Sequence, residues 1–233
     1  MNISMNIAVL PKAVIFDVDG TLYNHDKLKI SMLLEIGKFL VVRPHKWREI
    51  KMVREYRRLR EHLSMQPGFV ELKIEQYRTV AQTCGCSSEV VRLIVDRWMF
   101  QRPLKYIPSL GYPAVNDLID FLKRKKIPVA VFSDYRSFEK TEALGLSFDI
   151  KVHADDSDVN RLKPDPKGLL VAAEKLGVPV QECLFIGDRD DKDGECARRA
   201  GMPYLILNKN AKTDLADRHF STFSDLLESM KNE

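Results

Sequence analysis

Val14-Ile15-Phe16-Asp17-Val18-Asp19-Gly20-Thr21-Leu22 joins an apolar run to a polar, glycine-containing turn. An apolar, β-branched run opening at Ala13 gives way at once to two carboxylates, a glycine and a hydroxyl. A short continuous apolar run bounded by turn residues reads as a strand buried on both faces, the kind found in parallel sheets. Carboxylates at i and i+2 on a strand end that opens into a glycine turn can both face one site. Open α/β sheets bind their ligands beyond the carboxyl ends of the strands. The stretch therefore predicts a central strand at 13–16 whose polar end forms one wall of a site.

The pattern on either side completes the architecture. Residues 27–42 have helical periodicity in Leu28, Met32, Leu33, Ile36 and Leu40, and Pro44 suits the first turn of a second helix running to about Ser64. Pro67-Gly68 breaks it, and 69–83 and 87–100 give two more helical patterns. No strand-like run occurs between about 24 and 102. Pro103, Pro108, Gly111 and Pro113 mark a hinge. Beyond it the pattern alternates: helix 114–126, strand 127–132, helix 136–144, strand 148–152, helix 165–176 ended by Gly177, strand 183–186, helix 192–200, strand 204–207 and helix 220–231. Alternation of this kind implies a mostly parallel sheet covered on both faces. The expected fold is α/β, a Rossmann-like parallel-sheet core formed by 1–23 and 104–233, with an α-helical domain inserted at 24–103.

Composition narrows the partners. The 233 residues are 45% hydrophobic and 30% charged, with a net charge of +4. That is ordinary for a globular protein and too weakly basic to suggest nucleic acid. No apolar run approaches the roughly 18–20 residues that span a bilayer, and Met1 to Leu10 lacks a charged n-region, so no membrane partner and a cytoplasmic location are expected. Cys183 and Cys196 read as small buried hydrophobes. Cys84-Gly85-Cys86 has no second pair spaced to complete a zinc site. The charge is unevenly spread: residues 24–110 hold 17 Lys and Arg against 9 Asp and Glu, a net of +8, and the remaining 20 against 24 give −4. Arg54, Arg57 and Arg58 share a helical face, readable either as a surface that draws in an anion or as a solvated face. Tyr23, Trp47, Tyr56, Trp98 and Phe100 are candidate contacts of the insert or hinge, or parts of its core.

Other strand ends carry matching chemistry. The strand at 127–132 runs into Ser133-Asp134, and that at 183–186 into Gly187-Asp188, followed by Asp190, Asp191 and Asp193. Lys163-Pro164-Asp165-Pro166 opens a helix. Asp17, Asp19 and Asp188 in one crevice would repel one another unless a cation shared them, and hard oxygen ligands suit Mg²⁺. Lys163, Thr21 and Ser133 add a positive charge and hydroxyl donors that complement a phosphate. A carboxylate can attack phosphorus, and a second can serve as acid and base.

With these residues in order, the chain resembles the haloacid dehalogenase superfamily of phosphohydrolases, in its phosphoglycolate-phosphatase-like branch with a small α-helical cap. The family pattern hhhhDxDGT matches 14–22, the strand ending in Ser or Thr matches 129–134, KPxP matches 163–166, and GDxxxxD matches 187–193. Cys196 stands where the family usually has glycine. The resemblance implies Asp17 as nucleophile and Mg²⁺ ligand, and Asp19 as general acid/base that also binds Mg²⁺ through its carbonyl. It implies Thr21, Ser133 and Lys163 on the phosphoryl group, Asp188 as a metal ligand, and Asp193 supporting the metal site or orienting Lys163. Asp190 and Asp191 match no fixed role. The function implied is a Mg²⁺-dependent phosphatase acting on a small phosphorylated metabolite through an aspartyl-phosphate. A phosphosugar mutase and a non-catalytic phospholigand-binding protein are the alternatives. Asp19 argues against a dehalogenase, whose halide leaving group needs no acid, and Thr21 against a mutase.

Overall fold

Strand β1 (Ala13–Phe16) sits at the centre of a six-stranded sheet. The computed structural model that shows this describes residues 10–65, 71–210, 213–215 and 217–232. The other strands are β2 (Val129–Ser133), β3 (Ile150–His153), β4 (Cys183–Gly187), β5 (Tyr204–Leu207) and β6 (His219–Phe220), in the order β3-β2-β1-β4-β5-β6. All five pairings are parallel. Side chains alternate between the faces, as the period of two requires. Val14 and Phe16 join one core with Leu118, Leu122 and Leu226, while Ala13 and Ile15 join the other with Leu169, Ala172 and Ala197. The covering helices are α5 (Val115–Arg124) and α9 (Phe223–Lys231) on the first face, α7 (Lys167–Leu176) and α8 (Glu195–Ala200) on the second. Helix α6 (Phe138–Ala143) follows β2. Gly177 closes α7 with φ 67°, a left-handed C-cap that glycine takes without strain. The chain runs from β1 to β2 and β3 on one side, then crosses to β4 on the other. The seam between β1 and β4 is thus a topological switch point, where connecting loops part and leave a crevice.

Between β1 and β2 lie α1 (His25–Val42), α2 (Trp47–Ser64), α3 (Leu72–Cys84) and α4 (Ser88–Val95), with no strand among the described residues there. Asn24 caps α1 by accepting from Lys27 N–H at 3.0 Å. These helices pack around Met52, Tyr56, Val80, Val91 and Trp98, a core of their own. No helix among the described residues is long and apolar enough to cross a membrane.

Several boundaries differ from the sequence reading. The predicted helix 87–100 is α-helical only to Val95 and continues as a π-helical turn, Asp96–Gln101, because the apolar spacing of one more turn does not distinguish the two hydrogen-bond patterns. The predicted start at 192 is likewise a π-turn, Asp190–Gly194, leading into α8. β6 was not expected, since it has only two residues and Phe220 alone is apolar. It pairs with β5, and Phe220 is fully buried. Phe148 lies before β3 and reaches the core from the loop, against Phe16 at 5.9 Å. Of the apolar positions expected to bury α1, Leu28 is buried but Leu33 is 66% exposed. The break at Pro67-Gly68 and residues 69–70 lie outside the described residues. Cys183 and Cys196 are buried, and all four cysteines are free thiols.

Candidate active site

The end of β1 is pinned before any side chain acts, because Asp17 N–H donates to the Ile186 carbonyl at 2.8 Å. Gly20 has φ 107°, and a Cβ there would lie 2.1 Å from Asp188 Oδ2. The turn needs glycine for its dihedral and for the close approach of the β4 loop. Thr21 is fully buried, and its hydroxyl donates to Asp17 Oδ2 at 3.0 Å and lies 3.5 Å from Asp188 Oδ1. It sits beneath the two carboxylates and is not part of the cavity wall above them.

Lys163 reaches the same point from the loop before α7. Its ammonium lies 2.5 Å from Asp17 Oδ1 and 2.8 Å from Asp193 Oδ1, and the residue is 2% exposed. Its backbone N–H donates to Asp134 Oδ1 at 2.9 Å, which fixes the loop to the end of β2. Asp193 is carried back toward β4 by the π-turn, and its Oδ2 accepts from Asp188 N–H at 3.2 Å and Arg189 N–H at 3.0 Å. Both Asp193 oxygens are therefore engaged by the protein. Ser133 ends β2, is 1% exposed, lines the cavity and accepts from Tyr135 N–H at 3.3 Å.

One oxygen from each of Asp17, Asp188 and Asp193 lies within 4.8 Å of the others. Three carboxylates against one ammonium leave an excess of two negative charges when all are ionised. Burial, opposed by Lys163 and reinforced by Asp193 and Asp188, raises Asp17 well above the usual carboxylate range. Burial and then Asp193 push Asp188 up to about 7. Lys163 is disfavoured by burial, but Asp17 and Asp193 more than compensate and hold it charged. A hard divalent cation supplies the charge this donor set lacks, so the residues fit Mg²⁺.

Asp19 faces a different set of partners. Lys140, on α6 and 6% exposed, places its ammonium 2.6 Å from Oδ1 and 2.8 Å from Oδ2, and the Tyr23 hydroxyl also donates to Oδ1. Burial pushes Asp19 up, but Lys140, His25 and the Tyr23 hydrogen bond outweigh it and leave its pKa lowered. Asp190 and Asp191 are exposed and form ion pairs with Arg198 at 3.0 Å and Arg189 at 2.6 Å.

The helical insert meets this site through an arginine that the sequence reading did not single out. Arg60 is 2% exposed, pairs with Asp155 at 2.9 Å, bonds Gln76 and the Asp134 carbonyl, and lies over the Tyr135 ring at 4.7 Å. It ties α2 to the loops after β2 and β3. A signal was present: Met52, Tyr56, Arg60 and Leu63 form one buried stripe of α2, and a charge on such a stripe needs a buried partner. Arg57 and Arg58 are exposed and line the cavity, whereas Arg54 does not. Tyr23, Trp98 and Phe100 line it too. Tyr56 is instead stacked on Tyr77 at 5.4 Å in the insert's core, and Trp47 is 52% exposed. Lys140 carried no sequence signal, since only the fold brings α6 against the β1 turn. Cys196 is buried, with Sγ 3.1 Å from the Asp165 carbonyl.

The family model for haloacid dehalogenase-like hydrolases matches residues 11–201. The chain belongs to that family. Among its curated relatives, this hydrolase is 26% identical over 219 residues to a glyceraldehyde 3-phosphate phosphatase of Methanopyrus kandleri, covering 89% of this chain and 88% of the relative. It is 29% identical over 156 residues to the phosphoglycolate phosphatase of Escherichia coli K12, covering 62% of this chain and 61% of that one. The solved 2-haloacid dehalogenase of Pseudomonas syringae superposes with a TM-score of 0.66 at 22% identity, covering 96% of this chain and 99% of the other. At that identity the likeness establishes the fold.

Proposed function

We propose that this hydrolase is a Mg²⁺-dependent phosphomonoesterase that acts on a small phosphorylated metabolite through a phosphoryl-Asp17 intermediate. The observation that carries the reading is the Asp17–Lys163–Asp193 arrangement, buried at the seam between β1 and β4 and facing a cavity that also contains Ser133, Asp19 and Asp188. The names of the two phosphatase relatives support it.

In the first step an Asp17 oxygen attacks phosphorus and the phosphorus–oxygen bond of the ester breaks. Asp19, held as a carboxylate in the free enzyme by Lys140 and Tyr23, takes up the proton that a phosphomonoester monoanion brings and passes it to the departing alkoxide. In the second, Asp19 takes a proton from water, the water oxygen attacks phosphorus, and the bond to Asp17 breaks to release inorganic phosphate. Lys163 and Ser133 hold the phosphoryl oxygens, while Thr21 orients Asp17 and Asp188 from below. Lys140 and Tyr23 fix the Asp19 carboxylate, and Asp193 orients Lys163. Mg²⁺ held by Asp17, Asp188 and the Asp19 carbonyl would neutralise charge on the nucleophile and phosphoryl group. Residues 24–103 act as a cap that excludes water and shapes the leaving-group side of the cavity. Release of inorganic phosphate from a panel of phosphomonoesters with Mg²⁺, wild type against Asp17→Asn, tests the proposal. Loss of about 10³-fold or more is expected on removing a nucleophile, and equal rates would overturn it.

A further inference from the structure

The cavity above Asp17 extends well beyond the phosphoryl site. Its volume is about 670 Å³. At the roughly 30 Å³ that liquid water occupies per molecule, such a space holds about 20 non-hydrogen atoms, while a phosphorylated two- or three-carbon compound has about ten. Part of the cavity wall beyond that site is apolar. Met32 and Ile36 lie one turn apart on α1, and Ile50 and Val53 lie one turn apart on α2. Trp98 and Phe100 close the space from the π-turn. The only polar atom of the Trp98 side chain is occupied, its N–H donating to Glu49 at 3.2 Å. None of these six side chains offers a free strong hydrogen-bonding atom to the hydroxyls of a sugar or glycerol; the polar residues of the same cavity, His25, Lys29, Arg57, Arg58 and Glu61 among them, line other parts of its wall. Burying such hydroxyls without partners costs free energy, whereas burying carbon gains it.

We propose that the preferred substrates are amphipathic phosphomonoesters whose leaving alcohol carries an extended alkyl or aryl body, seated between α1 and α2 while the phosphate sits at Asp17. This deepens the phosphatase reading and rests on it for catalysis, but binding in the apolar arm can be measured without turnover. The probes are n-alkylphosphonates, whose carbon–phosphorus bond the proposed chemistry does not cleave, from methyl to octyl, titrated into the full chain with Mg²⁺ by calorimetry. The dissociation constant is expected to fall by about three- to four-fold per methylene, the factor that corresponds to burying one methylene, until the arm is filled. Val53→Asp is expected to flatten the series. In parallel, kcat/KM for n-alkyl phosphates is expected to rise by a similar factor per methylene. An affinity that is independent of chain length in the wild type, or strongest for the methyl compound, overturns the inference even if every ester is hydrolysed. Chain-length-dependent binding with no hydrolysis of any ester, p-nitrophenyl phosphate included, would retain the apolar subsite and refute the phosphatase reading alone.

Discussion

Replacing Lys163 by Met removes the only ammonium in contact with Asp17 and Asp193 among the described residues, at 2.5 and 2.8 Å. The shapes are similar, so the change isolates the charge. Breaking one side of a buried ion pair costs about 3–5 kcal/mol, because the remaining charge stays buried and uncompensated. Here Asp17, Asp188 and Asp193 all remain, each with an oxygen within 4.8 Å of the others. Asp17 and Asp188 are already raised and can take up protons, which places the expected cost near the lower limit, about 3 kcal/mol at neutral pH. For a chain of this size each kcal/mol lowers Tm by about 2–4 °C, so a fall of about 6–12 °C is expected. Calorimetric melts with a chelator present measure it. In the Asp17→Asn background the same substitution should cost at least ~1 kcal/mol less, since one of the two anions it leaves unpaired is gone. A variant that melts within about 1 °C of wild type, or strictly additive effects, would refute the view that these charges depend on Lys163.

Gly168→Ala would place a methyl group 2.1 Å from Phe132 Cε2 and Cζ, where α7 crosses β2; overpacking of this kind costs about 1–3 kcal/mol and is read as a lower Tm. Lys140→Met should reduce kcat by about 10- to 100-fold through loss of Asp19 positioning, with KM little changed. Lys140→Arg, which keeps a cation near both Asp19 oxygens, should recover part of that loss in steady-state kinetics. Glu35 ties α1 to the chain returning to the core, pairing with Arg102 and Lys105 at 2.7 Å and with the Tyr106 hydroxyl at 2.9 Å. Burial raises its pKa, but those three partners lower it below its ordinary value of 4.5. Its stabilisation is therefore complete above about pH 4.5 and is lost as pH falls through the lower folded value. Melts from pH 7 to 3 should show wild type and Glu35→Gln converging in acid, and parallel curves would count against the contact.

The strands that build the site were legible because each is a continuous apolar run ending in polar residues, and a run buried on both faces has little freedom to be anything else. Asp17, Ser133, Asp188 and Asp193 could be nominated from those ends and Lys163 from a helix-opening turn, and the fold brings them together. Thr21 was also nominated, but the structure sets its hydroxyl under Asp17 instead of on the cavity wall. That distinction depends on how the Gly20 turn packs on Asp188 and is invisible in a linear pattern. Lys140 and Arg60 arrive from elements far from the motifs, and partners 121 and 95 residues away leave no local periodicity to read. The arginines that did form a pattern, at 54, 57 and 58, are solvent-exposed.

In the proposed mechanism Asp17 carries the phosphoryl group during turnover. That is tested most directly by mixing enzyme and Mg²⁺ with a ³²P-labelled phosphomonoester that the enzyme hydrolyses, quenching in acid within one turnover, and mapping the labelled peptide. Alkali-labile label is expected on the peptide containing Asp17, disappearing as phosphate is released and absent in Asp17→Asn. Release of labelled phosphate with no label ever on the protein, or label on another residue, would contradict it.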